Sequence, residues 1–138
     1  ACLEYFQCIL QNLKAYSNFD TFGHLDYVVR YGPNKNRYYS YEKYREILDE
    51  ILRSLIRRDI GLEINTGGYR YGLEVPNPCT EIIIRYRELG GKLITLGSDA
   101  HEPGCLASEF DRIAELLKAC GFRSYYIFHN RKPEEIEL

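Results

Sequence analysis

The segment Thr95-Leu96-Gly97-Ser98-Asp99-Ala100-His101 puts a carboxylate and an imidazole on one short loop. Both are donors of the kind that bind zinc, manganese or iron. Their approach, Lys92-Leu93-Ile94-Thr95-Leu96, is apolar and β-branched between glycines, which predicts a buried strand. The loop therefore follows a strand's carboxyl end, where the strand-to-helix loops of parallel α/β folds converge and where ligands and metals bind. Taken alone, the residues also suit a structural reading, with Asp99 capping the following helix and His101 on a surface loop. Two further strand ends repeat the pattern. His24 and Asp26 follow a short β-like run over residues 19–23. Asn65 and Thr66 close a strand over residues 62–66, and Gly67-Gly68 leaves room there for a close backbone approach. Polar groups on three successive strand ends favour one shared site over three coincidences.

The elements that must position these groups follow from periodicity. Leu3, Phe6, Leu10 and Leu13 recur at helical spacing over residues 3–16, and Ser17-Asn18 ends the segment in a turn. Residues 31–39 form a loop, after which Ser40 is placed to cap a helix. That helix is the clearest in the chain, because Tyr44, Ile47, Leu48, Ile51, Leu52 and Leu55 make a wide apolar stripe, with Gly61 just past its end. Asn77 and Pro78 suit the cap and first position of another helix, which buries Ile82, Ile83, Tyr86 and Leu89 before Gly90-Gly91 stops it. A helix from about residue 106 buries Phe110, Ile113, Leu117 and Cys120, and residues 124–128 supply a last strand. The order predicts an α/β fold of about four parallel strands with helices outside. No repeat or linker divides the chain, so residues 1–138 make one domain or one piece of a domain.

Composition narrows the partners. A chain of 138 residues, 45% hydrophobic and 28% charged, can bury a core and is not disordered. With 18 basic and 20 acidic residues, a net charge of -2 and no basic stripe, nothing calls for nucleic acid or an anionic membrane as partner. The absence of a long apolar segment and of a signal-peptide pattern predicts a cytoplasmic location. An odd number of cysteines, without metal-type spacing, argues for reduced structural thiols. The chain has no methionine and opens on Ala1-Cys2-Leu3-Glu4, already helical in character, so a fragment of a longer protein is expected.

The motifs Phe22-Gly23-His24-Leu25-Asp26, Arg30-Tyr31-Gly32, Glu63-Ile64-Asn65-Thr66 and Gly97-Ser98-Asp99-Ala100-His101 occur in a characteristic order and spacing. Together they resemble the carboxyl half of the polymerase-and-histidinol-phosphatase (PHP) family, most closely its histidinol-phosphatase branch. The resemblance implies a distorted (βα)7 barrel, of which this chain is the C-terminal half, and a cleft for up to three divalent metals (zinc, manganese or iron). It matches His24 to a ligand of the second metal, Asp99 to one of the first and His101 to one of the third, which makes these three the catalytic set. It matches Arg30 to a position suited to gripping a substrate phosphate, since a guanidinium pairs bidentately with phosphate oxygens. Asp26 and Asn65 complete the substrate-binding candidates. Asp26 would orient an imidazole or touch the substrate amine, and Asn65 would do similar supporting work, although each reads equally well as a capping or loop residue. His129 matches no ligand motif and reads as structural. The family's histidine-x-histidine motif and its further histidine and glutamate ligands have no counterpart here, so a depleted metal cluster is expected.

Two functions follow. In the first, the parent protein hydrolyses L-histidinol phosphate to L-histidinol and phosphate, a step of histidine biosynthesis. Its metals would lower the pKa of a bound water and neutralise charge on the phosphoryl group. Another small phosphate, or nucleic acid ends, are alternatives within that class. In the second, the chain is a non-catalytic half barrel that acts through assembly. Unpaired sheet edges and uncovered inner faces predict a homo-oligomer, most simply a two-fold dimer.

Overall fold

The computed structural model describes residues 1–138. Helix α1 (Cys2–Ala15) turns Phe6, Ile9 and Leu13 inward, the spacing of an amphipathic helix. Helix α2 (Arg45–Arg57) does the same with Leu48, Ile51, Leu52 and Leu55 and packs on both α1 and the sheet. Three short parallel strands, β1 (Thr21–Phe22), β2 (Gly61–Asn65) and β3 (Ile94–Gly97), form that sheet in chain order with β2 in the middle. Their register sets Phe22 beside Leu62 and Asn65 beside Gly97. Leu62 and Ile64 point to the same face of β2 and are fully buried in the core. The crossover from β1 to β2 contains α2, and the one from β2 to β3 contains α3 (Gly67–Arg70) and α4 (Thr80–Glu88). One core gathers apolar side chains from these elements and from α5 (Phe110–Ala119). Because the strands run the same way, the loops that leave their carboxyl ends meet at one end of the sheet.

Four sequence expectations are corrected. The fourth parallel strand is instead the first arm of an antiparallel hairpin, in which β4 (Ser124–His129) pairs with β5 (Lys132–Glu137). The parallel sheet therefore has three strands, with β4 lying beside β3 but in a separate sheet. The hairpin's turn residues Asn130 and Arg131 have φ of 49° and 66°, the pair of positive values that matches strand twist. Arg131 ties the hairpin back to Asp20 at 3.1 Å and to Asn18 at 2.6 Å.

The last helix starts at Phe110 rather than near residue 106, because Ala107 and Glu109 take left-handed φ values of 54° and 63° that a helix cannot contain. Ser40 caps no helix. A 3-10 turn at Glu42–Tyr44 leads into α2, whose N-cap is Tyr44. Asn77 does not cap α4 either, since that helix starts at Thr80 after Cys79. Its backbone bridges Asn65 and its side chain turns inward. All five cysteines are free, and no helix is long and apolar enough to cross a membrane.

Candidate active site at the carboxyl ends of the sheet

His24 lies just past β1, Glu63 and Asn65 stand on β2, and Asp99 lies just past β3. Parallel register alone brings them to one end of the sheet. The His24 Nδ1 is 3.2 Å from Glu63 Oε2, and its Nε2 is 3.8 Å from Asp99 Oδ1. The imidazole thus sits between two carboxylates, with the Tyr27 ring against it edge to face at 4.8 Å. His24 and Asp99 have φ of 61° and 50°, a region L-residues enter rarely and often at functional sites. His101 is exposed and folds back on its own loop, its Nδ1 2.9 Å from the Asp99 carbonyl oxygen. The structure therefore brings the His24 and Asp99 side chains together and ties His101 to the Asp99 backbone.

Arg30 ends the 3-10 turn Tyr27–Arg30 and passes beneath this layer, its side chain only 1% exposed. Its Nη1 donates to Asp99 Oδ2 at 2.8 Å, Nη2 to Asn65 Oδ1 at 3.2 Å and Nε to Asn77 Oδ1 at 2.7 Å. The rings of Tyr27 and Tyr71 flank the guanidinium, 4.9 and 4.7 Å from their centroids. Asn77 in turn donates to Asp26 Oδ1 at 2.7 Å, and the Cys79 N–H donates to Asp26 Oδ2 at 2.8 Å. Asp26 is fully buried, and burial pushes its carboxyl up against the opposing pull of those two hydrogen bonds. Its carboxylate meets neither an imidazole nor solvent, and the residue it steadies is Asn77. Asn65 is held from both sides. Its Oδ1 accepts from Arg30 and from the Gly67 N–H at 2.8 Å, and its Nδ2 donates to Glu63 Oε1 at 3.3 Å.

Partial burial pushes the Asp99 carboxyl up, but the hydrogen bond and charge of Arg30, joined by His24 and His101, outweigh it and hold the carboxyl below its ordinary range. Asp99 is the ionised acceptor of the site. Two donors on one zinc-type ion stand roughly 3.3–3.6 Å apart at a tetrahedral angle. The 3.8 Å between His24 Nε2 and Asp99 Oδ1 is close to that spacing. No group of three or more His, Cys, Asp or Glu side chains converges on one point, however. The chain's residues fit a metal as part of a ligand set and do not close a site by themselves.

Three contributors escaped sequence reasoning. Glu63 was legible only as a member of its motif, although an acid in an otherwise apolar strand is a signal in itself. Asn77 reads locally as a helix cap. Arg70 carries no local signal, yet it fixes the Asp99 loop by donating to the carbonyl oxygens of Ser98 at 2.9 Å and Asp99 at 2.7 Å.

A family model described as PHP domain matches residues 1–67. The histidinol-phosphatase of Lactococcus lactis subsp. lactis (strain IL1403) is 37% identical over 137 residues, covering 96% of this chain and 49% of that protein. A probable histidinol-phosphatase of Thermotoga maritima is 35% identical over 87% of this chain and 48% of its own length. In three dimensions the chain matches, with a TM-score of 0.75, the crystal structure of histidinol phosphate phosphatase from the same Lactococcus lactis strain, complexed with zinc, L-histidinol and phosphate. That match has 32% sequence identity and covers 95% of this chain and 49% of the other. The PHP-domain model covers the first 67 residues, and the chain's fold and the motifs at its strand ends are similar to those of PHP proteins. More particularly, it is similar over nearly its whole length to part of a histidinol-phosphatase, and it spans about half the length of the curated relatives it matches.

Proposed function

We propose that this chain is the carboxyl-terminal half of a distorted (βα)7 PHP barrel whose parent enzyme hydrolyses L-histidinol phosphate to L-histidinol and phosphate. One observation carries the reading: His24, Asp99 and Arg30 converge at the carboxyl ends of parallel strands, in a chain whose structural neighbour holds zinc, L-histidinol and phosphate. His24 Nε2, the free Asp99 Oδ1 and His101 contribute ligands to divalent metals, and the rest of the protein supplies the others. Arg30 is the candidate phosphate-binding cation. Its donors serve Asp99, Asn65 and Asn77 and its side chain is 1% exposed, so a phosphate oxygen reaches it only where one of these partners gives way. Asp26 reaches Arg30 through Asn77, and its other oxygen holds the Cys79 N–H. A net charge of -2 favours a small phosphate ester over nucleic acid.

The test is phosphate release by the full-length protein that contains this chain, stripped by chelator and reloaded with zinc, manganese or iron. A clear preference for L-histidinol phosphate over a panel of small phosphomonoesters is expected. Equal activity on the whole panel would replace the reading with a general PHP phosphoesterase. The isolated chain, with the outer edge of β1 unpaired, is expected to self-associate as a two-fold dimer. Light scattering on dilute chain decides this, and a stable monomer excludes it.

A further inference from the structure

We infer that Glu63 is the positioning residue of His24, accepting the hydrogen of Nδ1 so that Nε2 is turned toward Asp99. Glu63 stands on the central strand, and glycines stand where its carboxylate lies, Gly23 just past β1 and Gly97 at the end of β3. A Cβ on Gly23 would come within 2.9 Å of Glu63 Oε2, and one on Gly97 would collide with Oε1 and lie 3.1 Å from Cδ. Any other residue at either position would displace the carboxylate.

The surroundings of Glu63 are all donors. Oε2 accepts the His24 backbone N–H at 3.1 Å and faces Nδ1 at 3.2 Å, while Oε1 accepts Asn65 Nδ2 at 3.3 Å. The Asn65 amide cannot turn its oxygen toward Glu63, because that oxygen already serves Arg30 and the Gly67 N–H. The cradle is built for an acceptor. On its other side, the His24 carbonyl oxygen accepts from Tyr5 Oη at 2.8 Å, which fixes the left-handed backbone on which the ring is mounted. The backbone N–H is the hydrogen bond that fixes His24 on Glu63, and Nδ1, 3.2 Å from the same oxygen, is near enough for Glu63 to take its hydrogen, which would leave the lone pair of Nε2 on the Asp99 side. The 3.8 Å between Nε2 and Oδ1 is too long for a hydrogen bond. A carboxylate behind an imidazole, fixing its tautomer and direction, is a recurrent way to present the second ring nitrogen to an electrophile.

The orientation stands on geometry alone, whereas its effect on turnover rests on the phosphatase reading. Two measurements on the full-length protein keep these apart. In the metal-free protein labelled with 15N-histidine, at about pH 9 where an ordinary imidazole is neutral, the His24 ring, assigned by the signal lost in His24→Gln, is expected as the Nδ1–H tautomer. Glu63→Ala is expected to shift it to Nε2–H, while Glu63→Gln, whose amide oxygen still accepts, retains Nδ1–H. An Nε2–H or doubly protonated ring in the unsubstituted protein would overturn the inference. An unchanged Nδ1–H signal in Glu63→Ala, or its loss in Glu63→Gln, would do the same. In the metal-loaded protein, Glu63→Ala is expected to lower kcat/KM on L-histidinol phosphate about 10- to 100-fold. If the tautomers behave as expected but the protein leaves that ester intact, the phosphatase reading alone fails.

Discussion

Two of the aspartate–arginine pairs that join elements of this chain are built in different ways. Between α2 and α4, Arg85 grips Asp49 with Nη2 on Oδ2 at 2.6 Å and Nε on Oδ1 at 3.0 Å. Tyr41 Oη adds a donor to Oδ1 at 2.7 Å, and Arg53 one to Oδ2 at 3.4 Å. Both carboxylate oxygens are saturated. At the end of the sheet, Arg30 gives Asp99 a single hydrogen bond on Oδ2, and Oδ1 has only the Nε2 of His24 at 3.8 Å beside it. The arginines differ in the opposite sense: Arg85 is 21% exposed and Arg30 only 1%. Ion pairing therefore does not mark the site. A carboxylate with an oxygen in reserve, held by a cation that is itself immobilised, does.

The sharpest way to break the comparison is to remove each carboxylate. In the full-length protein, Asp99→Ala is expected to cost at least about 100-fold in kcat/KM on L-histidinol phosphate, the several kcal/mol that a metal ligand supports. Asp49→Ala should leave turnover unchanged and show only in stability. Equal losses of turnover would mean that the reserve oxygen has no catalytic meaning.

Removing the cations comes next. Arg30→Met keeps bulk between the two tyrosine rings but orphans acceptors on Asp99, Asn65 and Asn77, so a loss of about 3 kcal/mol is expected in urea unfolding. Arg85→Met breaks a pair nearer solvent and should cost about 1 kcal/mol. If Arg85→Met costs as much as Arg30→Met, burial is not what separates the pairs.

The two regions also differ in how far the sequence reveals them. Helices α1 and α2 were legible because Phe6, Leu13, Leu48, Ile51 and Leu55 repeat at helical spacing and are the residues that end up buried. The strand ends were legible because short apolar runs stop at His24, Asn65 and Asp99. Strand β5 was not. Pro133 brings no N–H to a ladder, and Lys132-Pro133-Glu134-Glu135 has no apolar alternation, so only its pairing with β4 makes it a strand. The turn before it offers Asn130, a recognised turn residue, but follows it with Arg131 where glycine is the usual signal. Asn77 was misread because Asn-Pro ahead of a helix is a local cap pattern, whereas its side-chain partners Asp26 and Arg30 lie 51 and 47 residues away. A reading window of one helix length cannot see them.

Asn77 sharpens the comparison from beneath, since the Asp49 clasp has no such buried amide below it. Asn77→Ala leaves Arg30 Nε and Asp26 Oδ1 without their partner, and about 2 kcal/mol of stability should go with them. Asn77→Asp should be worse, because it sets a second carboxylate against the buried Asp26. An Asn77→Asp protein as stable as the parent would show that Asp26 is not tied to Arg30 through this residue.

The smallest effect expected is in the acid limb of stability. The hydrogen bond from Arg85 comes first among the causes that hold the Asp49 carboxyl below its ordinary range, with Tyr41 and Arg53 adding to it against partial burial. A carboxyl lowered in the folded state contributes stability that is fully present above the unfolded value of about 3.9 and is lost as pH falls through the folded value. The difference in urea midpoint between the parent and Asp49→Asn should therefore be constant above about pH 5 and close progressively below about pH 4. Asp99 is lowered as well, so the Asn variant retains a residual acid limb of its own. Concentrated salt should shrink the Asp49 contribution more than that residue, because Arg85 is the more exposed of the two cations. A difference that persists unchanged to about pH 2.5 would mean that Asp49 stabilises the helix pair by packing and neutral hydrogen bonding, leaving the charge of the clasp without a role.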